Sequence, residues 1–346
     1  MGQNYIVTLG EIMLRLKSPG HEKLLQSPSL EATFGGGESN VAVSLANYDL
    51  NARYVTALPV NSIGDSCVQF LRSMNVDTSC IIRQGDRIGV YFLEIGSGPR
   101  PSKVIYDRSH SAISEAGIAD FDWDGIFKNA KWFHITGITP ALSQKNADLS
   151  IFAVKKAKEK GLTVSCDLNF RKKLWKYGKS APEVMAQLMP YIDVVIANEE
   201  DIQKSLGMSI DQKIGGSKLS AEKYENLARH LLTSYSNVQT VAITLRESYS
   251  ADHNGWAAIG LSRGDSHAVF SKKYDLKDIV DRVGGGDSFG GALIYGLFSK
   301  KPLQDALEFA VAASALKHTI PGDINRVSIA EVTALMQGDS SGRVQR

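Results

Sequence analysis

Residues 5–10 open with a β-branched apolar run, YIVTLG, closed by glycine, and this predicts a first strand. Residues 11–34 lose helical periodicity and carry Pro19, Gly20 and Pro28, so short strands and loops are expected there. A helix is predicted over 40–50, entered from Gly35-Gly36-Gly37, then a strand over 52–57 and a helix over 66–74. Two strands, 88–95 and 103–106, flank the turn-rich GSGPRP segment and read as a hairpin projecting from the main body.

After the hairpin the rhythm changes. Strands are predicted at 132–135, 163–167, 194–197 and 240–245, and helices at 144–160, 182–189, 199–206 and 221–234. Alternation of this kind implies a parallel sheet covered by helices on both faces. Such sheets bind ligands beyond the carboxyl ends of their strands. There is no internal repeat, and the last nine residues, GDSSGRVQR, read as a frayed tail.

Composition narrows the picture modestly. The 346 residues are 43% hydrophobic and 22% charged, with 39 basic against 37 acidic side chains and a net charge of +2. Neither a nucleic-acid surface nor a membrane surface is expected from that balance. Cys67, Cys80 and Cys166 are far apart, lack metal-ligand spacing and are odd in number, so free thiols in a reducing compartment are expected. The N-terminus lacks a signal-peptide pattern and no apolar run reaches spanning length, so a cytoplasmic protein is expected.

The stretch richest in chemistry is Asp281-Arg282-Val283-Gly284-Gly285-Gly286-Asp287, which leads into an apolar helical run at 292–298. A helix start presents unpaired N–H groups and a positive dipole end, and glycines let those amides approach an anion closely. Asp287 sits at the same place, where it could accept a proton from a hydroxyl. A plain N-cap aspartate after a flexible loop is the alternative. A dinucleotide fingerprint is disfavoured because these glycines do not follow a strand. Gly178-Lys179-Ser180 is not a Walker A loop, because Lys173 stands where its first glycine belongs.

These residues resemble the C-terminal signature of the ribokinase-like (PfkB) carbohydrate kinases, and Gly36-Gly37-Glu38-Ser39-Asn40 resembles the N-terminal one. The resemblance runs from Gly10 to about Val332. It implies an α/β fold of three layers, with a mainly parallel central sheet between helices and a small β-sheet lid. One such domain is expected over 1–337, with the lid inserted from about 12–34 and 87–110 and a disordered tail over 338–346. Asp287 is then the catalytic base, and the amides of Gly284, Gly285 and Gly286 form the anion hole. Asn198 and Asp201 match an Asn-x-x-Glu motif that helps organise Mg²⁺ through water, with Asp in place of Glu. Asp281 matches a monovalent-cation ligand, and Arg282, standing where Thr is usual, leaves K⁺ open. ATP contacts fall on Asn169, Asn198, Thr244, Arg246, Tyr249, Gly284, Gly286 and Ala313.

Within the family the chain looks most like the 2-keto-3-deoxygluconate kinases. Gly36, Gly37, Asn40, Tyr91, Tyr106, Arg108, Arg171, Asp287 and Asp323 match positions that line the sugar site. A carboxylate on the substrate calls for a guanidinium, and Arg108 and Arg171 are the candidates. A fructokinase or other neutral-sugar kinase is the alternative. Arg15, which reads as a surface strand residue, receives no role. A homo-oligomer through the β lid is implied.

Overall fold

In the computed structural model, which describes residues 4–208 and 221–338, the apolar runs become strands and the 3.6-period runs become helices. The strands are β1 (Tyr5–Leu9), β2 (Met13–Lys17), β3 (Glu31–Gly35), β4 (Asn51–Val55), β5 (Ala57–Leu58), β6 (Ile82–Arg83), β7 (Gly89–Glu94) and β8 (Lys103–Asp107). They continue with β9 (Ala130–Thr136), β10 (Thr163–Asp167), β11 (Val194–Ala197), β12 (Thr240–Ser248), β13 (Asn254–Ser262), β14 (Val269–Phe270) and β15 (Tyr274–Leu276).

The large sheet has the order β14-β13-β12-β11-β10-β9-β1-β4, with β15 also pairing β13. From β4 to β12 every pairing is parallel, and β13 joins antiparallel. The parallel strands are largely buried on both faces, and a central one, VVIA in β11, is wholly apolar. No strand is predicted at 254–262, because NGWAAIGLS is small and apolar without alternation. There β13 is buried through eight of its nine residues and pairs with all of β12. The helix predicted at 66–74 begins earlier, at Ser62, because the Asn61 side chain accepts from the amides of Ile63 and Gly64.

A second sheet, ordered β3-β2-β7-β8, lies apart from the first. It gathers both segments read as lid, 11–34 and the hairpin β7–β8, with β2 and β7 parallel. Helix Gly285–Phe298 packs against helix Leu303–Lys317. Fully buried Phe289 anchors its first turn, two residues beyond Asp287; burying such a ring contributes about 2–3 kcal/mol. Cys67 and Cys166 are buried, Cys80 is half-buried, and all three are free thiols. Within the tail proposed at 338–346, residues 339–346 lie outside the described residues.

Candidate active site

A cavity of about 710 Å³ opens at the carboxyl ends of β10, β11 and β12, bounded on its other side by the smaller sheet. This is the position expected of ligand sites in parallel sheets, and the volume suits small-molecule ligands. Of the residues the sequence nominates, Gly36, Gly37, Asn40, Tyr91, Tyr106, Arg108, Asn169, Arg171, Asn198, Asp201, Thr244, Arg246, Gly284, Gly286, Asp287 and Asp323 all line it.

Four nominated residues stand elsewhere. Tyr249 is 57% exposed and its hydroxyl bonds to Glu247. Ala313 is fully buried in its helix. Gly285 is buried and its amide donates to the Arg282 carbonyl at 3.2 Å, which directs that amide to protein. Asp281 is buried beneath the glycine loop.

The loop is shaped by Gly284, the N-cap of helix Gly285–Phe298, at φ 81°. A side chain there would be strained, and its Cβ would lie 1.8 Å from the Asp323 carbonyl oxygen. The first-turn amides of Gly286 and Asp287 have no carbonyl partner within the helix, so they remain available to an anion. Asp287 is half-buried at the same turn, and its Oδ2 accepts from Asn40 Nδ2 at 2.7 Å. Burial pushes its carboxyl up to about 6; the Asn40 hydrogen bond opposes that rise, and the Asp323 charge adds to it. Asn40 is aimed by its own helix, Gly37–Asn47, whose entry at Gly36 lies so near the Glu11 carbonyl that a Cβ would fall 2.0 Å from it.

Arg108 does not stand free. Its Nε donates to Glu11 Oε2 at 2.6 Å, Nη2 bonds to the same oxygen, and Ser111 donates to the other one. Glu11 is buried, so the pair is desolvated and the guanidinium is fixed in place. Its carbon sits 5.3 Å from the Tyr106 ring centre. Arg171 differs: it is exposed and, among the described residues, pairs with no carboxylate.

Asn169, two residues beyond β10, is in the left-handed region at φ 34°, a conformation asparagine tolerates better than most residues. Beside it, Asp201 closes a capping box with Asn198 and accepts the Phe170 amide at 2.8 Å. Burial holds both Asp201 and the cavity carboxyl Asp167 above the usual range, and the charges of Asp201 and Asp287 push Asp167 further up. No three His, Cys, Asp or Glu side chains converge on a metal site among the described residues.

Arg15 is the clearest departure from the sequence reading. It is 1% exposed, not a surface residue, and it bonds to both Asp281 and Asp323. Asp323 also accepts the Tyr91 hydroxyl at 2.6 Å. The alternation in Met13–Lys17 carries a signal for this. Leu14 and Leu16 are half-buried, with Leu14 packed against an apolar cluster, while Met13, Arg15 and Lys17 form the more deeply buried face, which turns toward the site. Asp167 in the cavity wall, Glu11 behind Arg108, Arg15 behind Asp323 and Lys317 on the Asp281 carbonyl are neighbours of the site that motif matching leaves out.

A family model described as pfkB family carbohydrate kinase matches residues 3–330. The crystal structure of a 2-dehydro-3-deoxygluconokinase from Thermotoga maritima is 49% identical, with a TM-score of 0.91 over 97% of this chain and 100% of that one. A 2-dehydro-3-deoxygalactonokinase of Haloferax volcanii is 32% identical over 97% of this chain and 98% of its own length. A 2-dehydro-3-deoxygluconokinase of Bacillus subtilis is 26% identical over 95% and 94%. A Xylella fastidiosa fructokinase, 21% identical with a TM-score of 0.76 over 96% of this chain and 98% of that one, carries the fold alone. No helix among the described residues is long and apolar enough to cross a membrane.

Proposed function

The chain belongs to the pfkB family of carbohydrate kinases, and on that footing we propose that it phosphorylates the terminal hydroxyl of 2-keto-3-deoxygluconate from ATP. The observation that carries the reading is the Asn40–Asp287 pair at a helix start, in one cavity with Arg108 and Arg171. Asp287 takes the hydroxyl proton as that oxygen attacks the γ-phosphorus. The bond from phosphorus to the bridging oxygen of ADP breaks, and the first-turn amides of Gly286 and Asp287, on the turn that Gly284 shapes, stabilise the charge that develops.

Arg171 supplies the net positive charge for the substrate carboxylate, since Glu11 already neutralises Arg108. Arg108 contributes direction, through N–H groups that Glu11 leaves unused. Asn169, Thr244 and Arg246 lie on the nucleotide side. Mg²⁺ fits the hard oxygens of Asn198, Glu200 and Asp201, which line the cavity and would hold it through water. When bound, that ion neutralises phosphate charge.

The smaller sheet acts as a lid that excludes water from the transferring group. Its outer face carries an apolar patch in which Leu16 aligns with Phe92 and Phe92 with Ile105, and Ile105 is 55% exposed. A second copy of the chain is proposed to cover it.

The test is coupled ADP release with 2-keto-3-deoxygluconate, its galacto epimer, fructose and ribose. The sugar acids are expected to give the highest kcat/KM, with the gluconate leading; equal or faster turnover of fructose would overturn the assignment.

A further inference from the structure

Beneath the Gly284–Asp287 loop lies a buried charge cluster that meets the cavity only at Asp323. Arg15 is 1% exposed, Asp281 2%, Asp323 4% and Lys317 0%. Every oxygen of Asp281 already faces a protein donor. Its Oδ1 accepts the Val283 amide at 3.0 Å, and its Oδ2 accepts Arg15 and the Gly322 amide, the latter at 3.0 Å. Its main-chain oxygen accepts Lys317 Nζ, also at 3.0 Å.

A monovalent cation at Asp281, which the family resemblance implies, does not fit these residues. K⁺ would need oxygens free to converge on it. Here each already carries a protein donor, and an added cation would meet two fixed positive charges against the same residue. Those charges are needed there, because two carboxylates alone beneath an anion-binding loop would repel the phosphoryl group. Arg15 bonds to both carboxylates, and Lys317 adds a second positive charge on the Asp281 carbonyl. Helix Leu303–Lys317 also fixes the loop mechanically, through Lys317 on the Asp281 carbonyl and Ser314 Oγ on the Gly285 carbonyl at 2.7 Å.

We infer that this chain carries its cation covalently: the Lys317 ammonium, with Arg15, does the electrostatic and positioning work of a bound alkali ion, and phosphoryl transfer needs none. Lys317 is a positioning residue, acting through the Asp281 carbonyl and the loop. The inference depends on the family's kinase chemistry and not on which sugar is the acceptor.

The experiment compares MgATP-dependent turnover of the full chain in potassium chloride and in tetramethylammonium chloride at equal ionic strength. In parallel it measures the rise in melting temperature caused by MgATP in the same two salts, so that a failed choice of sugar still leaves an answer. Turnover is expected to agree within about twofold between the salts, and the melting shift within about 1 °C. More than about threefold activation by K⁺, or a MgATP shift seen only in K⁺, overturns the inference. In Lys317→Met, turnover in tetramethylammonium is expected to fall at least about tenfold and to recover in K⁺. A folded variant with unchanged turnover in both salts, or with a loss that K⁺ leaves untouched, also overturns it. If that variant does not fold, the comparison on the natural chain decides.

Discussion

Asn40 Nδ2 donates to Asp287 Oδ2 at 2.7 Å, a contact between residues 247 positions apart that joins the two glycine-bearing segments of the chain. The bond favours the ionised carboxylate against a burial that lifts its pKa to about 6. A general base must be ionised to work, so kcat/KM is expected to rise with pH through about 6. In Asn40→Ala the opposing bond is gone, and the acid limb should move up by about one pH unit. A pH profile of kcat/KM on both proteins checks this; an unmoved limb would separate Asn40 from the base.

Arg171 is the exposed guanidinium of the cavity, without a carboxylate of its own among the described residues. Arg171→Ala is expected to raise KM for 2-keto-3-deoxygluconate by about tenfold or more, and KM for a neutral sugar by far less. Equal effects on both would remove the carboxylate argument. Arg171→Lys keeps the charge and loses the bidentate geometry, so an intermediate KM is expected.

How much of this was legible in the sequence depends on whether a residue's job shows in its near neighbours. The 284–287 turn and the 36–40 turn announce themselves, because bare amides at a helix start require consecutive glycines. β10, β11 and the other parallel strands show as apolar runs. β13 does not, since a small-residue strand buried on both faces has no alternation. Arg15 misleads for a physical reason: β2 is covered on both faces, and the face that looks solvent-facing is the more deeply buried one. Glu11's hold on Arg108 spans 97 residues and leaves no local trace.

That hold has a measurable consequence for stability. Glu11→Ala strands a buried guanidinium and leaves Ser111 without its acceptor. A loss of about 3–5 kcal/mol in urea unfolding is expected, as for breaking one side of a buried ion pair. A loss below about 1 kcal/mol would mean that solvent reaches the pair and screens it.

Asp287 also imposes a stability cost. Its folded-state pKa lies above its ordinary value of 3.8, so the protonated form is favoured on folding. Its contribution is fully present below about pH 4 and is lost as pH rises through about 6. Asp287→Asn is therefore expected to be more stable than the natural chain at pH 8, by about 3 kcal/mol, with the gap closing toward pH 4. Chemical denaturation at both pH values checks the sign.

The most direct test is turnover of Asp287→Asn with saturating MgATP and 2-keto-3-deoxygluconate, read beside its affinity for MgATP. Turnover is expected to fall by about a thousandfold or more, with MgATP affinity held within about threefold, because the amide keeps the shape and cannot take the proton. Near-normal turnover in that variant would contradict the account.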